Sequence, residues 1–193
     1  MGRRDIFPKW SIQLYSSVYQ PYMNKQYYQP NKLGYLSVSL PGFYRHHSLV
    51  MMAEIEDGFG LRLSLPRGYL KQNYSSIYYR KQYSINYTCP LVYPDFSAGP
   101  IFYLKRIYAN FFYDYTDYKN YMWQNSRWKT HNGNLQSAGI ELNFNTHFLR
   151  FIIPFEPEIQ YSYLISTRES QWAFYVKTGY SFALGNRFSD IDR

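Results

Sequence analysis

The sequence predicts an all-β fold, an antiparallel transmembrane β-barrel with eight strands in this chain. Three observations carry that expectation. Eight segments alternate apolar and polar residues at period 2, as a strand does when its two faces meet different surroundings. Long and short connections between those segments alternate along the chain. Aromatic residues make up 22% of the 193 residues, with 24 Tyr and 14 Phe, a composition that favours strands over helices.

The segments follow in order. In the first, Trp10, Ile12, Leu14 and Val18 share one face, opposite Ser11, Gln13, Tyr15 and Ser17. The second sets Leu36, Val38 and Leu40 against Tyr35, Ser37 and Ser39, and the third sets Leu49, Met51, Ala53 and Ile55 against Glu54. The fourth places Ile85, Tyr87, Cys89 and Leu91 opposite Ser84, Asn86 and Thr88. In the fifth, Ile107, Ala109, Phe111 and Tyr113 oppose Tyr108, Asn110 and Asp114. The sixth has the cleanest alternation, with Ile140, Leu142, Phe144 and Phe148 against Glu141, Asn143, Asn145 and His147. The seventh puts Ile159, Tyr161, Tyr163 and Ile165 opposite Gln160 and Ser162. The eighth puts Trp172, Phe174, Val176, Tyr180 and Phe182 opposite Tyr175, Lys177, Gly179 and Ser181.

Alternation alone also suits a soluble sandwich or a lipocalin-like barrel. The connections separate these options. Residues 20–32, 56–75 and 116–136 form long polar stretches after the first, third and fifth segments, while 41–46, 92–99 and 152–157 are short. Long outer loops alternating with short periplasmic turns are the habit of outer-membrane barrels. On that reading both chain ends lie on the periplasmic side, and only the last outer hairpin, 166–170, is short. Tyr78, Tyr79, Tyr93, Tyr103, Tyr113 and Tyr115 cluster where the apolar faces end, as interfacial aromatic girdles do.

Several classes are excluded. No apolar run approaches the ~20 residues of a membrane helix. The net charge of +8 comes from scattered Lys and Arg with no basic helix and no nucleic-acid motif, so nucleic acid is not an expected partner. One cysteine, Cys89, cannot build a disulfide framework or a multi-cysteine metal site, and no cofactor is expected. The chain is not expected to be an enzyme. His46 and His47 fall in a turn and His131 in a loop, and His147 with Glu141 lacks a positioned serine; no Gly-x-Ser-x-Gly elbow occurs. The start, Met1-Gly-Arg-Arg-Asp-Ile-Phe-Pro, has no apolar h-region and does not read as a signal peptide.

Two stretches carry a resemblance. Lys177-Thr-Gly179-Tyr-Ser-Phe182-Ala-Leu184 resembles the C-terminal insertion signal of outer-membrane proteins, with a periplasmic tail at 185–193. Pro66-Arg67-Gly68-Tyr69 lies in the loop before the fifth-last strand and resembles the Arg-Gly-aromatic motif of the bacterial surface antigen superfamily, the BamA/TamA-type barrels. Tyr87-Thr-Cys-Pro-Leu91, Phe112-Tyr-Asp114 and Ser137-Ala-Gly-Ile140 follow in the superfamily's order. The resemblance spans roughly residues 62–184. It departs from the pattern at Asn86, where many members carry Glu, and at Cys89, where they carry an aromatic.

The resemblance implies one barrel domain over 1–193, in the bacterial outer membrane, forming the C-terminal half of a sixteen-stranded barrel. The implied activity is insertion or transport of protein at that membrane, or anchoring of a periplasmic module. Implied partners are outer-membrane lipid, other outer-membrane or periplasmic proteins, and another chain that completes the barrel. A small closed eight-stranded barrel, structural or a narrow pore, is the alternative. The resemblance further implies that the loop folds inward, with Arg67, Gly68 and Tyr69 anchored on the polar wall. Asp114 is then the first acceptor for the guanidinium and Glu141 the second.

Overall fold

The computed structural model describes residues 10–20, 22–23, 26–27, 30–58, 65–70, 77–99, 101–124, 127–148 and 153–178. The described residues form eleven strands and no helix. These are β1 (Ser11–Tyr19), β2 (Tyr22–Met23), β3 (Gln26–Tyr27), β4 (Asn31–Pro41), β5 (Ser48–Asp57) and β6 (Ile77–Val92), followed by β7 (Phe96–Ala98), β8 (Phe102–Gln124), β9 (Arg127–Phe148), β10 (Ile153–Leu164) and β11 (Glu169–Thr178). Eight of them run as an antiparallel meander in the order β1-β4-β5-β6-β8-β9-β10-β11, β7 adds to β8, and β2 and β3 form a separate small hairpin.

The predicted alternation sets the register. Ser84 pairs with Asp114 and Asp114 with Ser137, so one rung carries polar side chains across three strands. Ile85 pairs with Tyr113 and Tyr113 with Ala138 on the opposite face. Side chains of paired residues share a face, so each strand's period-2 pattern extends across the whole sheet. At Pro90, which has no N–H to donate, the pairing with β8 slips by one position, as expected of a proline near a strand end.

The polar face is the buried one. Ser37, Ser48, Glu56, Arg80, Asn86, Asn110, Asp114, Glu141, Asn143, Glu158 and Ser162 are all under 9% exposed, while Ile12, Leu14, Ile85, Phe111, Trp172 and Phe174 are 48–80% exposed. A soluble antiparallel sheet does the reverse. Among the described residues the apolar cluster on the enclosed side is small: Leu65, Ile77 and Leu135, with Tyr69 and Tyr118 packed against it.

The structure corrects the sequence reading in three places. First, the meander is an open sheet rather than a closed barrel: among the described residues β1 pairs only with β4, and β11 only with β10. Second, residues 116–136, read as a long loop, are mostly a continuation of β8 and β9, whose ladder runs from Phe102↔Phe148 out to Gln124↔Arg127. That hairpin packs Leu135 and Tyr118 into the small apolar cluster, but no sustained apolar period marks it in the sequence. Third, β6 begins at Ile77, well before Ser84, and the short connection 92–99 contains β7. Residues 179–193 lie outside the described residues, and with them Gly179, Phe182, Leu184 and the tail; so do 59–64 and 71–76.

Candidate functional site

Residues 65–70 lie on the enclosed polar face. Pro66 is fully buried and Leu65 joins the small apolar cluster. The Tyr69 backbone N–H donates to the Pro66 carbonyl at 3.1 Å, closing a tight turn, and the Tyr69 hydroxyl donates to the Gln136 carbonyl at 3.1 Å. Gly68 sits at φ +91°, a backbone region that side-chain-bearing residues rarely occupy. A Cβ there would also lie 2.7 Å from Leu164 Cδ2 and 3.0 Å from Ser162 Cβ. The turn therefore presses against β10 at a point where only glycine fits.

Arg67 is carried by this turn onto three rungs of the sheet. Its Nε and Nη2 donate to the two oxygens of Asp114, both at 2.8 Å, which is the bidentate fork expected of a guanidinium and a carboxylate. Nη1 donates to Glu141 at 2.9 Å and Nη2 to the Asn86 amide oxygen at 2.7 Å. The Arg67 backbone N–H adds a bond to Asp114 at 3.1 Å. Beneath the guanidinium lies the Phe112 ring, its centroid 3.7 Å from Cζ.

Register explains the convergence. Asn86, Phe112 and Gly139 form one rung; Ser84, Asp114 and Ser137 form the next, and Thr88, Asn110, Glu141 and Gln160 the one on the other side. Phe112 occupies the centre because Gly139 leaves it room: a Cβ on Gly139 would stand 2.7 Å from the Phe112 ring. Asp114 and Glu141 then flank the ring from adjacent rungs. Asn110 braces the lower side, donating to Glu141 at 2.8 Å and to Asn86 at 3.2 Å, while accepting from the Thr88 hydroxyl at 3.0 Å. Asn110 thus holds the acceptor oxygens of Asn86 and Glu141 in place beside the cation. Burial works against the charged guanidinium, but hydrogen bonds and charge from Asp114 and Glu141 more than offset it and raise the Arg67 pKa above the ordinary arginine value.

The structure brings Arg67, Gly68, Tyr69, Asp114 and Glu141 into one site. Lys177 stands apart from it, paired with the buried Glu158 and 3.4 Å from the Asn143 amide oxygen. Phe112, Asn86 and Asn110 escaped the sequence reading as partners of Arg67. An apolar Phe112 in an otherwise polar row of alternate positions was the available signal. A further buried pair, Arg80 with Glu56 at 3.6 Å, also went unread, although the two residues are direct register partners.

The geometry holds a segment of chain against the sheet. Glu141 is engaged by Arg67 and Asn110, whereas His147 stacks near Tyr103 at 6.2 Å and His47 bonds the Tyr87 hydroxyl at 2.7 Å. Among the described residues no three of His, Cys, Asp and Glu converge as a metal site. Comparison with protein-family models, with characterised proteins and with solved structures found no match to this chain.

Proposed function

We propose that this chain is the wall of a bacterial outer-membrane β-barrel, with its apolar face in lipid and its polar face lining the lumen. One observation carries the reading: the sheet is inside out. On β6 the outward positions from Tyr83 to Leu91 are Tyr83, Ile85, Tyr87, Cys89 and Leu91; on β9 they are Ala138, Ile140, Leu142 and Phe144; on β10, Ile159, Tyr161 and Tyr163. Not one is charged. From Tyr83 to Leu91 on β6 the band reaches the ~9–11 residues that a tilted strand needs to cross the hydrocarbon, and the one charge within the band on these strands, Glu141, faces the other way. In water such a surface is an association hazard; against lipid it is the solvated face.

The wall is part of a larger barrel. An eight-stranded barrel has an interior just wide enough for its own side chains, whereas the polar face here also holds residues 65–70 with their buried Pro66 and Arg67. An unpaired strand edge in hydrocarbon costs several kcal/mol per unsatisfied backbone group, so further strands, from elsewhere in the protein or from another chain, complete the ring at β1 and β11. Within that barrel the Arg67 loop acts as a fixed strut across the lumen wall. The resemblance to the surface antigen superfamily, supported by the Arg67–Asp114–Glu141 geometry, makes insertion or translocation of protein at the outer membrane, or anchoring of a periplasmic module, the activity we assign.

The test is a pair of fluorophore-labelled cysteines on one strand, at Leu142 and at Asn143, in a Cys89→Ala background reconstituted in phospholipid vesicles. A quencher attached to lipid acyl chains should darken the label at Leu142 and spare the one at Asn143. Equal quenching, or none at either position, removes the membrane reading.

A further inference from the structure

Beyond the uncharged belt, on the end of the sheet that bears the long β8–β9 hairpin, the outward face carries three lysines and two aspartates. Lys81 precedes Tyr83 on β6 and pairs with Asp117, Lys119 pairs with Tyr79, and Lys32 pairs with Asp57, which itself pairs with Tyr79. The three lysines therefore lie on one rung and its neighbour, across β4, β5, β6 and β8. Lys32 and Lys119 are exposed and Lys81 half-exposed.

Two carboxylates share the patch, Asp57 and Asp117, yet among the described residues none of the three lysines is within ion-pair distance of either. Asp117 instead accepts from the Tyr115 hydroxyl at 2.7 Å. The ammonium groups of Lys81 and Lys119 sit 5.8 and 5.1 Å from the centroid of the same Tyr79 ring. An aromatic ring with a polar tip favours the headgroup boundary, and here two lysine ammonium groups lie around one such ring, just beyond the Tyr83 end of the apolar belt.

We propose that Lys81 and Lys119 around Tyr79, with Lys32 further along the same rung, bind the phosphate groups of anionic lipid headgroups in the leaflet on the long-hairpin side. This rests on the membrane reading above. The ammonium groups are placed at headgroup height by the belt beneath them, where a phosphate can bridge Lys81 and Lys119 across the Tyr79 ring. The hydroxyl of Tyr79 adds a hydrogen-bond donor at the same level. A lysine near an anionic membrane surface contributes about 1 kcal/mol, which corresponds to roughly a fivefold gain in affinity per residue.

The experiment reconstitutes the full chain in two kinds of vesicle, phosphatidylcholine alone and phosphatidylcholine with bis-phosphorylated lipid A, and reads lipid A retained by the extracted protein by native mass spectrometry. Wild type should retain lipid A, and Lys81→Gln with Lys119→Gln together should lower retention by roughly 25-fold, the product of two fivefold losses. The Lys81→Arg, Lys119→Arg pair should keep most of it, and Lys129→Gln, far out on the hairpin, should change nothing. Inorganic phosphate at millimolar concentration should not compete. Equal retention by wild type and the glutamine pair, or full competition by inorganic phosphate, overturns the proposal while leaving the barrel wall intact. Failure to integrate into either vesicle overturns both.

Discussion

Replacing Arg67 by alanine is the most informative perturbation of this sheet. The change removes four guanidinium hydrogen bonds, to Asp114 twice, Glu141 and Asn86, and the contact with Phe112. It leaves two carboxylates behind at sites where Asp114 and Glu141 have side chains only 2% and 7% exposed. Removing one partner from a buried pair typically costs ~3–5 kcal/mol, because the survivor is an uncompensated charge. Arg67 itself is 23% exposed, and a lumen admits water, so the lower part of that range, about 3 kcal/mol, is the expected loss. Arg67→Lys keeps the charge but cannot form the fork and reaches one carboxylate at a time, so it should recover less than half. Asp114→Ala should cost about as much as Arg67→Ala, and the double variant should cost well under the sum, with a coupling of ~2 kcal/mol or more. The assay is equilibrium unfolding by urea in lipid vesicles, with Arg45→Ala on an exposed turn as a control expected to stay within ~0.5 kcal/mol. If Arg67→Ala behaves like Arg45→Ala and the cycle is additive, the loop is not held by this network and the strut assignment falls.

Other consequences are as specific. Gly68→Ala should destabilise by ~1–3 kcal/mol in the same titration, since it combines a positive φ with a Cβ 2.7 Å from Leu164; a silent Gly68→Ala would mean the turn is free to move off β10. Ile85→Arg places charge against lipid and should cost ~2–4 kcal/mol near the midplane, whereas Ala173→Arg on the polar face of β11 should cost far less; equal losses would contradict one-sided lipid exposure. A cysteine at Asn132, on the long hairpin, should react with an impermeant maleimide in intact cells. One at Asp95, in the turn at the other end, should react only after permeabilisation, and labelling of Asp95 in intact cells would reverse the orientation.

Much of the wall was legible in the residue order. Period-2 alternation needs only a strand and its immediate neighbours, and it correctly divided β5, β6, β9 and β10 into a polar and an apolar face. Arg67 with Asp114 and Glu141 was legible through motif order and the face on which each carboxylate lies, which is a local property. What lies between them was not. Phe112 stacks under Arg67 only because Gly139 is its register partner, and a register is a relation between strands far apart in the chain. Arg80 with Glu56 and Lys177 with Glu158 were hidden for the same reason: each residue alone reads as a polar position, and only strand pairing places the opposite charge beside it.

The extended β8–β9 hairpin marks the limit from the other side. Beyond Thr116 only Leu135 and Tyr118 pack into the apolar cluster among the described side chains, so no sustained period is written into the sequence; the cross-strand backbone bonds that form it leave no compositional trace. Whether the sheet closes is likewise a long-range matter. The sequence by itself determined which face of each strand is apolar, because burial preference is a property of single side chains. The tertiary structure alone decided that eight strands leave β1 and β11 open and that the polar face encloses a buried turn, because both depend on how strand tilt, register and the volume of residues 65–70 add up across the whole sheet.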